Sequence, residues 1–240
     1  MPQIAGLTSQ YIQVKRETTN KVTYGGDQGF FKEVSGSAED ERKRRLGCGI
    51  VAFCDLLLYL TGTNPVYQIQ EIKKYSDRIL TESEYKACFN FVYGFLGGLP
   101  ERRNKGLSGF KLSRKFNRMA AAENWKLKAV WGWSSKKLFQ RITRMLDQDI
   151  PVILCIPMML FKKDKGKGAA FYKKEGKTYY RACTVSEHYV VVTEVFEENE
   201  SIFLGISSWG EKYYVSWKEY EKLIHAHFLG TILGNILYIK

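Results

Sequence analysis

Cysteine, proline and histidine are all scarce in this chain, with five, five and three copies among 240 residues. An odd number of cysteines without framework spacing excludes a disulfide-stapled scaffold and points to free thiols in a reducing setting. There is no CxxC and no HxxxH, so neither Cys48 with Cys54 nor Cys183 with His188 makes a zinc pattern. No metal and no organic cofactor is expected. No apolar run reaches the length of a membrane span. The nearest, residues 228–239, is short and interrupted by Gly230, Gly234 and Asn235. The opening MPQIAGLTSQ has neither the charged start nor the apolar run of a secretory signal. The expectation is a cytoplasmic protein with no membrane partner. Internal repeats and low-complexity segments are absent too.

What is present is ordinary for a globular protein: 45% hydrophobic and 26% charged residues. The length suffices for one well-buried domain divided into two lobes. Net charge is +12, with basic clusters at 42–45, 102–105, 162–167 and 173–177, each in an expected loop. Scattered in this way they read as a solvated basic surface. Specific nucleic-acid binding would need them to converge on one face with aromatic platforms.

The first 47 residues yield only one strand, near residues 21–24, and a polar segment, SGSAEDERKRR. From Cys48 the pattern changes. CGIVAFCDLLLYL is apolar nearly all round, which marks a buried helix, and Gly62 is the expected stop. Asn64-Pro65 opens a second helical stretch, and Thr81-Glu82-Ser83-Glu84 reads as a capping box before YKACFNFVYGFL. A fourth helix is expected over residues 107–124. Residues 48–124 thus predict a helical lobe. Residues 125–240 predict a mainly antiparallel β lobe: a strand in KLKAVWGW, a helix capped by Ser134, the strand VILCIP, a Lys/Gly loop at 162–168 and a hairpin at Glu175-Gly176. Two strong strands, HYVVVTEVF and SIFLGISSW, follow around the acidic turn EENE. A short helix, SWKEYEKLI, and the strand ILYI close the chain.

Chemistry concentrates at two points. Gly47-Cys48-Gly49 immediately precedes the buried helix. A helix N-terminus favours a thiolate by about 0.3–1 kcal/mol, a facing imidazolium favours it further, and flanking glycines admit a substrate backbone. The alternative for Cys48 is a packed core thiol, the role expected of Cys54, Cys88 and Cys155. His188 begins the apolar strand YVVVTEV, so the sheet would anchor it. The alternative there is a hydrogen-bonded structural histidine, the role expected of His225 and His227. With EENE as the turn, antiparallel pairing sets His188 opposite residues 207–209. Ser207 or Ser208 would then accept the ring N–H and orient the imidazole.

The order Cys at a helix start, long helical insertion, His at a strand start, then Ser207-Ser208-Trp209-Gly210 resembles the papain-like cysteine peptidase superfamily. GCGIVAFCDLLLYL, and the helix followed by Asp-Ile-Pro-Val-Ile-Leu, are more similar to its bacterial branch around the double-glycine peptidases that trim bacteriocin leaders. The resemblance spans most of residues 46–220 and implies an α+β, two-lobe papain-like fold. It implies Cys48 as nucleophile, His188 as base, Ser207 where the family has Asn or Asp, and Trp209 as a shield over the His hydrogen bond. Gly47, Gly49 and Ser208 support the site. Two positions depart from the pattern. Arg42 stands six residues before the cysteine, where the family has its oxyanion glutamine, and Gln28, well upstream, needs a different loop path. The third residue is serine, which carries no charge. The functional expectation is a cysteine hydrolase cleaving a peptide or amide bond through an acyl-thioenzyme. The rivals are a degraded papain-like protein that binds peptides and, more distantly, a basic nucleic-acid-binding protein.

Overall fold

In the computed structural model, residues 3–31, 37–76, 79–100, 106–157, 168–226 and 229–240 are described. The expected Lys/Gly loop up to residue 167, the basic cluster at 102–105 and His227 lie outside them. The chain is α+β with mainly antiparallel sheets; β2 and β4 pair in parallel. In chain order its elements are β1 (Gln3–Gly6), β2 (Gln13–Lys15), β3 (Val22–Tyr24), a 3-10 turn (Gln28–Phe31), α1 (Ala38–Leu46), α2 (Cys48–Thr63), α3 (Gln70–Lys73), β4 (Leu80–Thr81), α4 (Glu82–Leu96), α5 (Gly109–Ala122), β5 (Ala129–Trp131), α6 (Leu138–Asp147), β6 (Val152–Ile156), β7 (Ala169–Glu175), β8 (Thr178–Val185), β9 (His188–Glu198), β10 (Ser201–Ser208), β11 (Glu211–Ser216), α7 (Trp217–His225), α8 (Gly230–Leu233) and β12 (Leu237–Ile239). They form two compact units. One holds residues 9–130, 208–211 and 239–240. The other holds 1–8, 131–207 and 212–238. The N-terminal segment is therefore shared: β1 belongs to the second unit, and β2 and β3 to the first.

The first unit is built round α2, which buries thirteen of its 16 residues, as an all-apolar helix must. Phe53 meets Phe116 of α5 edge-on at 6.4 Å, and Phe116 meets Trp125 at 6.1 Å. Phe30 and Phe31 pack on Tyr85 and Phe89 of α4. The expected stop at Gly62 is wrong: the helix runs on to Thr63 and caps at Asn64. Gly62 serves packing instead, since a Cβ there would lie 2.1 Å from the Ser76 carbonyl oxygen. The expected second helix shrinks to the single turn of α3, because Asn64 Oδ1 accepts the Val66 N–H and turns the chain. The capping box is present: Thr81 and Glu84 exchange side-chain to backbone bonds, and Gly97 closes α4 in the left-handed conformation. The polar segment before Cys48 is a helix, α1. Ser37 accepts from Asp40 N, acidic residues fill the first turn and basic residues the last, matching the helix dipole at both ends.

The second unit is a seven-stranded sheet in the order β1-β9-β10-β11-β7-β8, with β6 also on β9. β6 and β1 share one edge of β9: β6 lies along residues 188–192, β1 along 194–196. The amphipathic helix α6 buries Leu138, Ile142, Met145 and Leu146, spaced to make one apolar stripe. Its N-cap position is Lys137, in a left-handed conformation, rather than Ser134, whose Oγ accepts from Lys136 N. Buried Asn235 donates to the Ser134 and Thr231 carbonyls and accepts from Ile236 N. Among the described residues no single helix is long and apolar enough to cross a membrane; α1 and α2 pass such a test only together, and they are bent by 75°.

Candidate functional site

The bend between α1 and α2 determines where Cys48 stands. Gly47 ends α1, with its N–H on the Lys43 carbonyl at 2.9 Å, and its own carbonyl accepts the first bonds of α2. A Cβ on Gly47 would lie 2.2 Å from the Lys43 oxygen. Only glycine fits, so the glycine before the thiol is a requirement of the bend. Cys48 is then the first residue of α2 and half-buried, while Gly49 is buried. Its thiol sits at the positive end of a four-turn helix dipole. Cys54 and Cys88 are interior: burial pushes Cys54 well above the usual thiol value and Cys88 to about 12, so both are inert. All five cysteines are free thiols.

Arg42 and Gln28, the two residues at which the resemblance departs from the family's glutamine, both lie near this bend. Arg42 does not occupy a glutamine-like role. Its guanidinium donates to the Pro100 carbonyl at 2.6 Å and to that of Leu99. Lys115 and Lys111 of α5 do the same for the Phe95 and Gly98 carbonyls, so three cations satisfy acceptors around the end of α4. Gln28, in contrast, reaches the α1–α2 junction. The 3-10 turn buries it, and its Nε2 donates to the Arg44 carbonyl at 2.9 Å, four residues before Cys48. An amide nitrogen carries a second N–H. The only sequence signal was a lone glutamine between an aspartate and a glycine, because helix α1 separates it from the thiol along the chain.

In the second unit His188 is the first residue of β9 and is buried, paired across to Ile156 of β6. Burial lowers its pKa from 6.5 to about 4, so the ring is neutral at pH 7. The expected pairing with Ser207 is corrected. The hairpin turns at Asn199 and Glu200, both with positive φ, one residue later than expected, and a bulge falls between Gly205 and Ile206. Ser207 consequently lies opposite Val191, three residues along from His188. Side chains alternate along β9. Ser207 therefore shares the face of Tyr189 and Val191, while His188 shares that of Val190 and Val192.

Ser208 ends β10, and Trp209 and Gly210, both with positive φ, form the turn into β11. This turn is fastened to the 24–26 segment. Tyr24 N donates to the Gly210 carbonyl at 2.8 Å, Gly210 N to the Gly26 carbonyl at 3.0 Å, and Lys21 pairs with Glu211 at 2.8 Å. Among the described residues no cluster of His, Cys, Asp or Glu could hold a metal ion. Comparison with family models, curated proteins and solved structures found no match.

Proposed function

We propose that this chain is a papain-like thiol hydrolase acting on a peptide or amide bond. The observation that carries the reading is Cys48 as the half-buried first residue of an otherwise interior helix, presented by a bend that only glycine permits. In this reading Cys48 Sγ attacks the carbonyl carbon, and the base, assigned to His188 by the resemblance alone, takes the thiol proton and returns it to the leaving amine. Water then releases the acyl group. The first N–H groups of α2 and the Gln28 amide, held at the same junction, donate to the oxyanion. A free-thiol nucleophile suits a reducing, intracellular setting.

A second reading is a catalytically degraded papain-like protein that binds peptides without turnover. It is favoured by the neutral, buried His188 and by Ser207 on the other face of β9. One experiment separates the two. A monofunctional alkylating agent and a short bis-electrophile are applied across pH 5–9 to wild type, His188→Ala and Cys48→Ala. The hydrolase reading expects Cys48 to label faster than Cys54 and Cys88 at pH 6, with a bridge to His188 and loss of the fast phase in His188→Ala. A Cys48 that labels only above about pH 8.5, with no bridge, leaves the binding reading.

A further inference from the structure

Asp55 lies seven residues after Cys48, two turns along α2 and on the same face, so about 10.5 Å away along the axis. It is buried, and nothing in the proposed chemistry uses it. Its Oδ2 accepts from Tyr11 Oη at 2.9 Å and its Oδ1 from Tyr85 Oη at 2.8 Å; Gly26 N donates to both oxygens, at 3.0 and 3.2 Å. Gly26 is a required glycine, since a Cβ there would lie 1.8 Å from Tyr85 Oη. The loop that Gly26 opens continues through Asp27, which accepts from Gly29 N and pairs with Arg16, to Gln28 on the Arg44 carbonyl. The Gly26 carbonyl in turn holds Gly210.

We infer that Asp55 is a positioning residue: its carboxylate, on the helix that presents Cys48, holds the 25–29 loop and so fixes Gln28 and the turn of Trp209 and Gly210. The inference rests on the thiol-hydrolase reading for its catalytic consequence, though the clamp itself does not. The charge state matters because all three donors are neutral and one, a backbone N–H, cannot reverse. A protonated carboxyl has one O–H that must itself donate, but protonation removes the cost of burying a charge, which is the larger effect here. Burial raises the Asp55 pKa to about 6, against the opposing effect of its three hydrogen bonds. The titratable groups facing it are Tyr11, Tyr85 and Cys54, with Cys88 of α4 beyond Cys54 and Asp27 and Arg16 at the far side of the loop.

The test is amide hydrogen exchange of the 25–29 loop in the full chain between pH 5 and 8, corrected for intrinsic rates, in wild type, Asp55→Asn and Tyr85→Phe. Wild type should gain protection by about tenfold as pH falls through about 6, because opening the loop returns the carboxyl to water and its ordinary value of 3.8, so the closed loop binds the proton more tightly. Asp55→Asn should lose this pH dependence and fall below wild type at low pH. Tyr85→Phe, which removes one donor to the carboxylate, should move the midpoint upward, a shift that Asp27 titration would not produce. Protection that is flat with pH in wild type and unchanged in Asp55→Asn overturns the clamp. Cys48 labelling is measured on the same samples. If the clamp behaves as expected while Cys48 stays unreactive throughout, the hydrolase reading fails and the clamp stands.

Discussion

Replacing His188 by glutamine should make the protein gain stability, relative to wild type, as the solution is acidified. The folded His188 titrates at about 4 and the unfolded one at 6.5. A histidine with a depressed folded pKa contributes stability that is present above pH 6.5 and lost as pH falls through 4. The gap corresponds to about 3 kcal/mol. Asp55 runs the other way. Its folded pKa is raised from 3.8 to about 6, so its contribution is fully present below 3.8 and lost as pH rises through 6, again about 3 kcal/mol. Wild type superposes two opposing titrations in nearly the same window, and each variant unmasks the other. Unfolding free energies from urea titrations at pH 4, 5, 6 and 7 supply the check. Subtracting wild type cancels every other titrating group. The His188→Gln difference should move by about 3 kcal/mol in favour of the variant from pH 6.5 to 4, and the Asp55→Asn difference by a similar amount against it. A His188→Gln difference constant across this range would refute the buried neutral imidazole, and with it the physical basis for treating His188 as a weak base.

Gly47→Ala should cost about 1–3 kcal/mol and slow Cys48 alkylation together, because the added methyl meets the Lys43 carbonyl and opens the bend; thermal melts and labelling rates report both. Thr81→Ala should cost about 1 kcal/mol by removing one half of the capping box of α4, read from the urea midpoint at unchanged slope. Asn235→Ala should cost about 1–3 kcal/mol, since it strips a buried amide from the Ser134 and Thr231 carbonyls.

The sequence by itself determined the elements whose signal is local. The apolar run after Cys48 had to be an interior helix, and thirteen buried residues in α2 follow from it. The Thr81/Glu84 capping box, the Ser108 cap of α5 and the β7–β8 and β9–β10 hairpins are likewise set by neighbours a few residues apart. The helix α1 was legible but unread: Ser37 with Asp40, and acids before bases, spell it, although its lack of apolar periodicity hides it from a hydrophobic pattern. Tertiary structure decided what depends on a single residue of register or on distant partners. One extra residue before the β9–β10 turn, and a bulge at Gly205, carry Ser207 to the other face of the strand from His188, because side chains alternate with period two. Close backbone approach made Gly62 a packing position within α2, though glycine is an ordinary stop signal. Arg42 was diverted to the carbonyls of residues 99 and 100, and Gln28 was brought to the junction before Cys48, by folds of the chain that no spacing rule encodes. Asp55 drew no notice in an apolar run because its partners, Tyr11, Gly26 and Tyr85, lie about 30 to 44 residues away along the chain, and only the folded chain brings their donors to one carboxylate.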